Sequence, residues 1–227
     1  MEFFKIFYEA FFLIFSFDPD LYEIIFLSIK TSCLATLIGS FFGIITAYLL
    51  VVYEFKFKDF IIIILNSLMG IPPVVVGLIV YFIFSSQGPL GVLSLIFTPH
   101  AMIIAQIIII YPIISSLVRE LFESFWLNYK DTFNAYNIFG VGLLYTFVKN
   151  SYFFILTILL SGFGRVISEV GAVMIVGGNI EHYTRVMTTS ISLETSVGNL
   201  GKAMSLGIIL LIITMIINGI VFKFNVG

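Results

Sequence analysis

Residues 60–118 read FIIIILNSLMGIPPVVVGLIVYFIFSSQGPLGVLSLIFTPHAMIIAQIIIIYPIISSLV, a run without a single Asp, Glu, Lys or Arg. About 20 apolar residues carry a helix across a bilayer, so this run holds two spans and the turn between them. The turn is Ser85-Ser86-Gln87-Gly88-Pro89-Leu90-Gly91, whose Gly and Pro interrupt regular structure. The rest of the chain agrees with this reading. Of its 227 residues 60% are hydrophobic and only 11% charged, with a mean hydropathy of +1.14, whereas a soluble domain carries about 25% charged residues. The fold class is therefore an all-α integral membrane protein, one domain over 1–227 with lipid as its solvent. The net charge of −2 and the lack of a basic patch argue against nucleic acid as a partner. Cys33 stands alone in an apolar span, which excludes a disulfide framework. His100 and His182 have no second ligand at metal spacing, and no metal site or cofactor is expected.

Working outward, five spans are expected at about 24–51, 60–84, 101–119, 152–176 and 203–222. Residues 1–17 precede the Asp18-Pro19-Asp20 break and place Glu2, Lys5, Glu9 and Ser16 on one stripe. Their apolar part rises about 22 Å, short of a ~30 Å hydrocarbon core, which predicts an amphipathic helix lying in the interface. The segment 120–151 is the longest moderately polar connection. Lys and Arg mark the cytoplasmic side. Placing 53–59, 119–150 and the C-terminus there puts Lys56, Lys58, Arg119, Lys130, Lys149 and Lys223 inside and the N-terminus outside.

Three motifs carry chemistry. Gly70-Ile71-Pro72-Pro73-Val74-Val75-Val76-Gly77 sits near the middle of the second span. Two prolines remove backbone donors and open a break, which is either a packing kink or a wall of a polar cavity. Arg165 and Glu169 lie four apart in the fourth span, hence on one helix face. They form an intrahelical ion pair, or Arg165 draws an anion through while Glu169 moderates its hold. Ser168 and Gly171 flank them with other small residues that allow close helix approach. Beyond Gly177-Gly178-Asn179, the hydroxyl-rich stretch from Tyr183 to Thr195 predicts a short surface or re-entrant helix, with Thr184 and Arg185 placed to meet an anion, dock a partner or cap helices.

These residues resemble the permease subunits of ATP-binding-cassette oxyanion importers. The Pro-Pro-x-Val-x-Gly run followed by Gly88-Pro89-Leu90-Gly91 is shared with them, and Thr184-Arg185-Val186-Met187-Thr188-Thr189 with Leu193-Glu194-Thr195 is most similar to the tungstate branch. The resemblance implies the type I importer permease fold, a homodimer in the bacterial cytoplasmic membrane, two ATPase subunits and an extracytoplasmic oxyanion-binding protein. It also implies a cytoplasmic coupling helix marked Glu-Ala-Ala, three residues, then Gly. Anchored on Gly140, this triplet falls on Asn134, Ala135 and Tyr136; Ala135 and Gly140 match, and Lys130 and Asp131 lie just before them. The pathway residues it implies are Pro72, Pro73, Arg165, Ser168, Glu169, Gly171, Thr184 and Arg185. No Gly-x-x-x-x-Gly-Lys motif is present, so ATP would be hydrolysed by another chain and this one would be a transport subunit rather than an enzyme. Molybdate or sulfate transport on the same fold, and a passive anion channel, are the alternatives.

Overall fold

The computed structural model describes the backbone of residues 2–226 and the side chains of residues 4–223. Among these residues every regular element is helical: α1 (Glu2–Phe15), α2 (Pro19–Val52), α3 (Lys58–Leu68), α4 (Pro73–Phe84), α5 (Pro99–Ala135), α6 (Val141–Asn150), α7 (Tyr152–Ile167), α8 (Gly171–Gly177), α9 (Met187–Val197) and α10 (Leu200–Val226), with a 3-10 turn at Gly91–Leu93. The predicted N-terminal helix is α1, packed along α10; the side chain of Glu2 from its expected polar stripe lies outside the described residues.

The centre of the molecule is the parallel pair α2 and α5. Both begin in the same way. Asp18 accepts the Leu21 amide at 2.9 Å ahead of Pro19, and Thr98 accepts the Ala101 amide at 3.4 Å ahead of Pro99. A polar cap relieves an orphan amide, and proline at the first helical position has none to lose. Glycine then sets their approach: a Cβ on Gly39 would lie 2.5 Å from Ile110, and one on Gly43 would lie 2.9 Å from Ile114. Around this pair the core forms three apolar clusters. One is aromatic and centred on Phe122 and Phe147, one joins α4, α5 and α8, and one joins the start of α2 to α9 and α10.

By length and composition α2, α5 and α10 can each cross a bilayer, and two bent pairs, α3 with α4 and α6 with α7, add enough length for two more. The expected second span is not a straight rod: α3 and α4 meet at 108°. The expected fourth span is likewise interrupted, at 168–170, between α7 and α8. The connection expected over 120–151 is mostly helix. Residues 119–139 contain neither Gly nor Pro, so nothing stops α5 until Ala135. At 1.5 Å per residue α5 rises about 55 Å against a ~30 Å core, and its charged second half must project out of the membrane.

Candidate functional site

Two breaks in helix lie side by side. The first separates α3 from α4. A residue before proline is pushed out of the helical region. Pro72 accordingly takes φ −63° and ψ 122°, and Pro73 restarts the helix as its first residue. The second separates α7 from α8. The Ser168 hydroxyl donates to the carbonyls of Gly164 (2.8 Å) and Arg165 (3.1 Å), and the Glu169 carboxylate accepts the amides of Gly171 (2.8 Å) and Ala172 (3.3 Å). Such local side-chain bonds offer the backbone an alternative to the helix ladder. Thr188 of α9 donates to the Glu169 carbonyl at 2.8 Å and so satisfies an acceptor that the break leaves free. From these breaks α4 and α8 leave together. A Cβ on Gly171 would lie 2.6 Å from Val74, and one on Gly77 would lie 2.8 Å from the Cα of Ala172, so backbone meets backbone.

This geometry corrects the expected Arg165–Glu169 pair. Spacing of four joins two side chains only along a continuous helix, and α7 stops at Ile167. Glu169 is 7% exposed and serves as the cap of α8, while Arg165 is exposed on the last turn of α7 and has no ion-pair partner among the described residues. Arg165 gives the end of α7 an exposed positive charge beside the break. Among the described residues the two breaks bring together no nucleophile–base constellation.

Thr184 and Arg185 belong to the turn after α8. Thr184 is fully buried; its hydroxyl donates to the Gly177 carbonyl at 2.6 Å and accepts the Ile180 amide at 2.9 Å, so it closes a turn. Arg185 pairs with Glu181 at 2.9 Å. The same turn reaches the start of α2, where His182 Nδ1 meets Glu23 at 2.7 Å. The hydrogen bond and charge of Glu23 hold the His182 imidazole above its ordinary pKa. Donor atoms of Asp20, Glu23 and His182 come within 4.8 Å of one another, a grouping able to hold a cation and invisible to local spacing.

At the far end, Lys130, Asp131, Asn134 and Ala135 occupy the exposed last turns of α5, Tyr136 caps it, and Gly140 opens α6 at φ +58°, which favours glycine. The Tyr48 hydroxyl donates to the Gly140 carbonyl at 2.8 Å. Leu143 and Phe147 anchor the inner face of α6 against Phe122, Phe125 and Phe133. The outer side of this end leaves Tyr136 and Phe139 before α6, and Val141 and Tyr145 on it, exposed.

No family model matches the chain. It is 39% identical over 214 residues to the tungstate uptake system permease protein TupB of Peptoclostridium acidaminophilum, covering 93% of this chain and 92% of that protein. It is 34% identical over 217 residues to TupB of Campylobacter jejuni, covering 96% and 91%. The chain belongs to the oxyanion permease family of ABC transporters. A probable anion ABC transporter permease protein of Haloferax volcanii is 36% identical over 177 residues, 76% of each chain.

The permease is thus a multi-pass membrane protein and a transport subunit. One further residue supports its breaks. Gln106 of α5 is buried, and its amide nitrogen reaches the Val166 carbonyl at 3.4 Å and Ser32 at 3.5 Å, linking α2, α5 and the end of α7. The signal was available in sequence, since Gln106 is the one side-chain amide between His100 and Arg119.

Proposed function

We propose that this permease moves tungstate into the cytoplasm as one of two identical membrane subunits, coupled to two ATPase subunits and fed by an extracytoplasmic oxyanion-binding protein. The observation that carries the reading is the pair of adjacent breaks at 69–72 and 168–170 with the exposed guanidinium of Arg165, unpaired among the described residues, one turn away. Broken helices within a membrane expose backbone groups where a polar cavity can use them. A tetrahedral dianion needs positive potential strong enough for entry and weak enough for exit. Two copies would place two such walls and two Arg165 side chains around a shared axis. The relatives named for tungstate, at 34–39% identity over more than nine-tenths of this chain, support that substrate. The projecting end of α5 with α6, from Lys130 to Asn150, would enter a groove on the ATPase, so that nucleotide-driven closure turns the helices that border the breaks. The N-terminus would lie outside and the C-terminus in the cytoplasm.

The test is uptake of tungstate into proteoliposomes holding the permease, the ATPase and the binding protein. Uptake that requires both ATP and the binding protein is the expected result. Flux that persists without nucleotide would make the chain a passive channel, and uptake of sulfate in preference to tungstate would reassign the substrate.

A further inference from the structure

The outer surface of the α2–α5 pair carries an apolar groove with a basic mouth. The contacts Gly39–Ile110 and Gly43–Ile114 join positions 71 apart in sequence, so the two helices run parallel and touch closely there. Followed back towards their starts, that register sets His100 beside Ile29 and Lys30. Between this mouth and the glycine contacts the helices enclose a groove of about 560 Å³, walled by Leu34 and Ile38 on one side and Ile103 and Ile107 on the other. Lys30 and His100 line its mouth, both exposed, and neither has a carboxylate partner among the described residues.

The depth of that mouth follows from charge. From Thr31 to Val52 α2 carries no charged residue, a rise of about 33 Å, and α5 carries none from Ala101 to Val118, about 27 Å. Lys30 and His100 therefore stand where the hydrocarbon core meets the headgroups, and the groove descends from them by about 12 Å along Lys30, Leu34 and Ile38. We infer that this groove binds an anionic phospholipid, its phosphate on Lys30 beside His100 and an acyl chain lying between Leu34, Ile38, Ile103 and Ile107. A basic head over an apolar slot at the interface matches that ligand in charge and in shape. A second copy of the chain fits less well, because a two-fold partner seated on this face would bring a second Lys30 to the same depth, and the groove lining offers no carboxylate to meet it. The inference is independent of what the permease transports.

The purified permease in detergent is titrated with dioleoyl-phosphatidylglycerol or dioleoyl-phosphatidylcholine, and bound lipid is counted by native mass spectrometry. Phosphatidylglycerol is expected to bind the wild type more tightly than phosphatidylcholine. Lys30→Gln should weaken phosphatidylglycerol about fivefold, what one lysine near a lipid phosphate contributes, and Lys30→Arg should restore it. Ile104→Trp, which fills the groove, should weaken both lipids. A photo-crosslinking residue at Leu34 is expected to add the mass of a lipid. Equal affinity for the two lipids in the wild type, unchanged binding in Lys30→Gln, or a crosslink from position 34 to a second copy would each overturn the inference.

Discussion

Glu169 accepts the amide of Gly171 at 2.8 Å, and in capping α8 it leaves Arg165 without a counter-ion among the described residues. The two charged residues at the second break thus act separately. Glu169→Ala removes a cap and is expected to cost about 1 kcal/mol in unfolding free energy, while Glu169→Gln keeps an acceptor and should cost less. Arg165→Ala, at an exposed position, should stay within about 0.5 kcal/mol. The double variant should be additive in stability, since groups that do not interact show no coupling in a double-mutant cycle. Tungstate uptake should nevertheless fall at least about tenfold in Arg165→Ala with the complex still assembled. Coupling well above ~0.5 kcal/mol would restore the ion pair.

The contact between α4 and α8 gives a packing test. A Cβ on Gly77 would meet the backbone of Ala172 at 2.8 Å, where no flexible side chain can give way. Gly77→Val should therefore destabilise by about 1–3 kcal/mol through overpacking and push the two breaks apart. Gly164→Ala is the control: nothing lies within 4 Å of the added methyl, and replacing helical glycine should be neutral or slightly stabilising. Thermal unfolding in detergent distinguishes the two, and equal behaviour would show that α4 and α8 do not touch through Gly77.

How far the sequence reached can be judged residue by residue. The membrane class was legible because residues 60–118 have no charge, and the first break because Pro72 and Pro73 cannot donate backbone bonds. The second break was not, since the Arg165–Glu169 spacing presumes the helix that Ser168 and Glu169 themselves interrupt. Polarity over 119–135 suggested a connection, yet that stretch has no Gly or Pro, and helix persists where polar residues leave the membrane for water. The Glu23–His182 contact joins positions far apart in the chain, so no local pattern announces it.

That contact makes stability depend on pH with a definite sign. His182 is held above its ordinary pKa by Glu23, so its protonated form is favoured in the folded protein. The contribution is fully present below the unfolded value of about 6.5 and disappears as pH rises through the higher folded value. The thermal midpoint of wild type should exceed that of Glu23→Gln near about pH 6, and the gap should close on the alkaline side. A gap independent of pH would mean that the bond is made by neutral imidazole.

The last prediction separates the two faces of α6. Phe147 packs with Phe122 at a centroid distance of 5.0 Å, so Phe147→Ala should cost about 3–5 kcal/mol and loosen α6 from α5. Val141 is 84% exposed and Tyr145 64%, so Val141→Asp and Tyr145→Asp should change unfolding by less than about 0.5 kcal/mol. If the outer face of α6 enters the ATPase, a buried aspartate there would be an uncompensated charge, and ATPase copurification should be lost while the permease remains folded. Lys56→Gln, between α2 and α3, lowers the net charge by one on another connection, as each α6 variant does, and should leave copurification intact. Retention of the ATPase by both α6 variants would move the docking surface away from this helix, whereas loss in the Lys56 variant as well would point to a general charge effect.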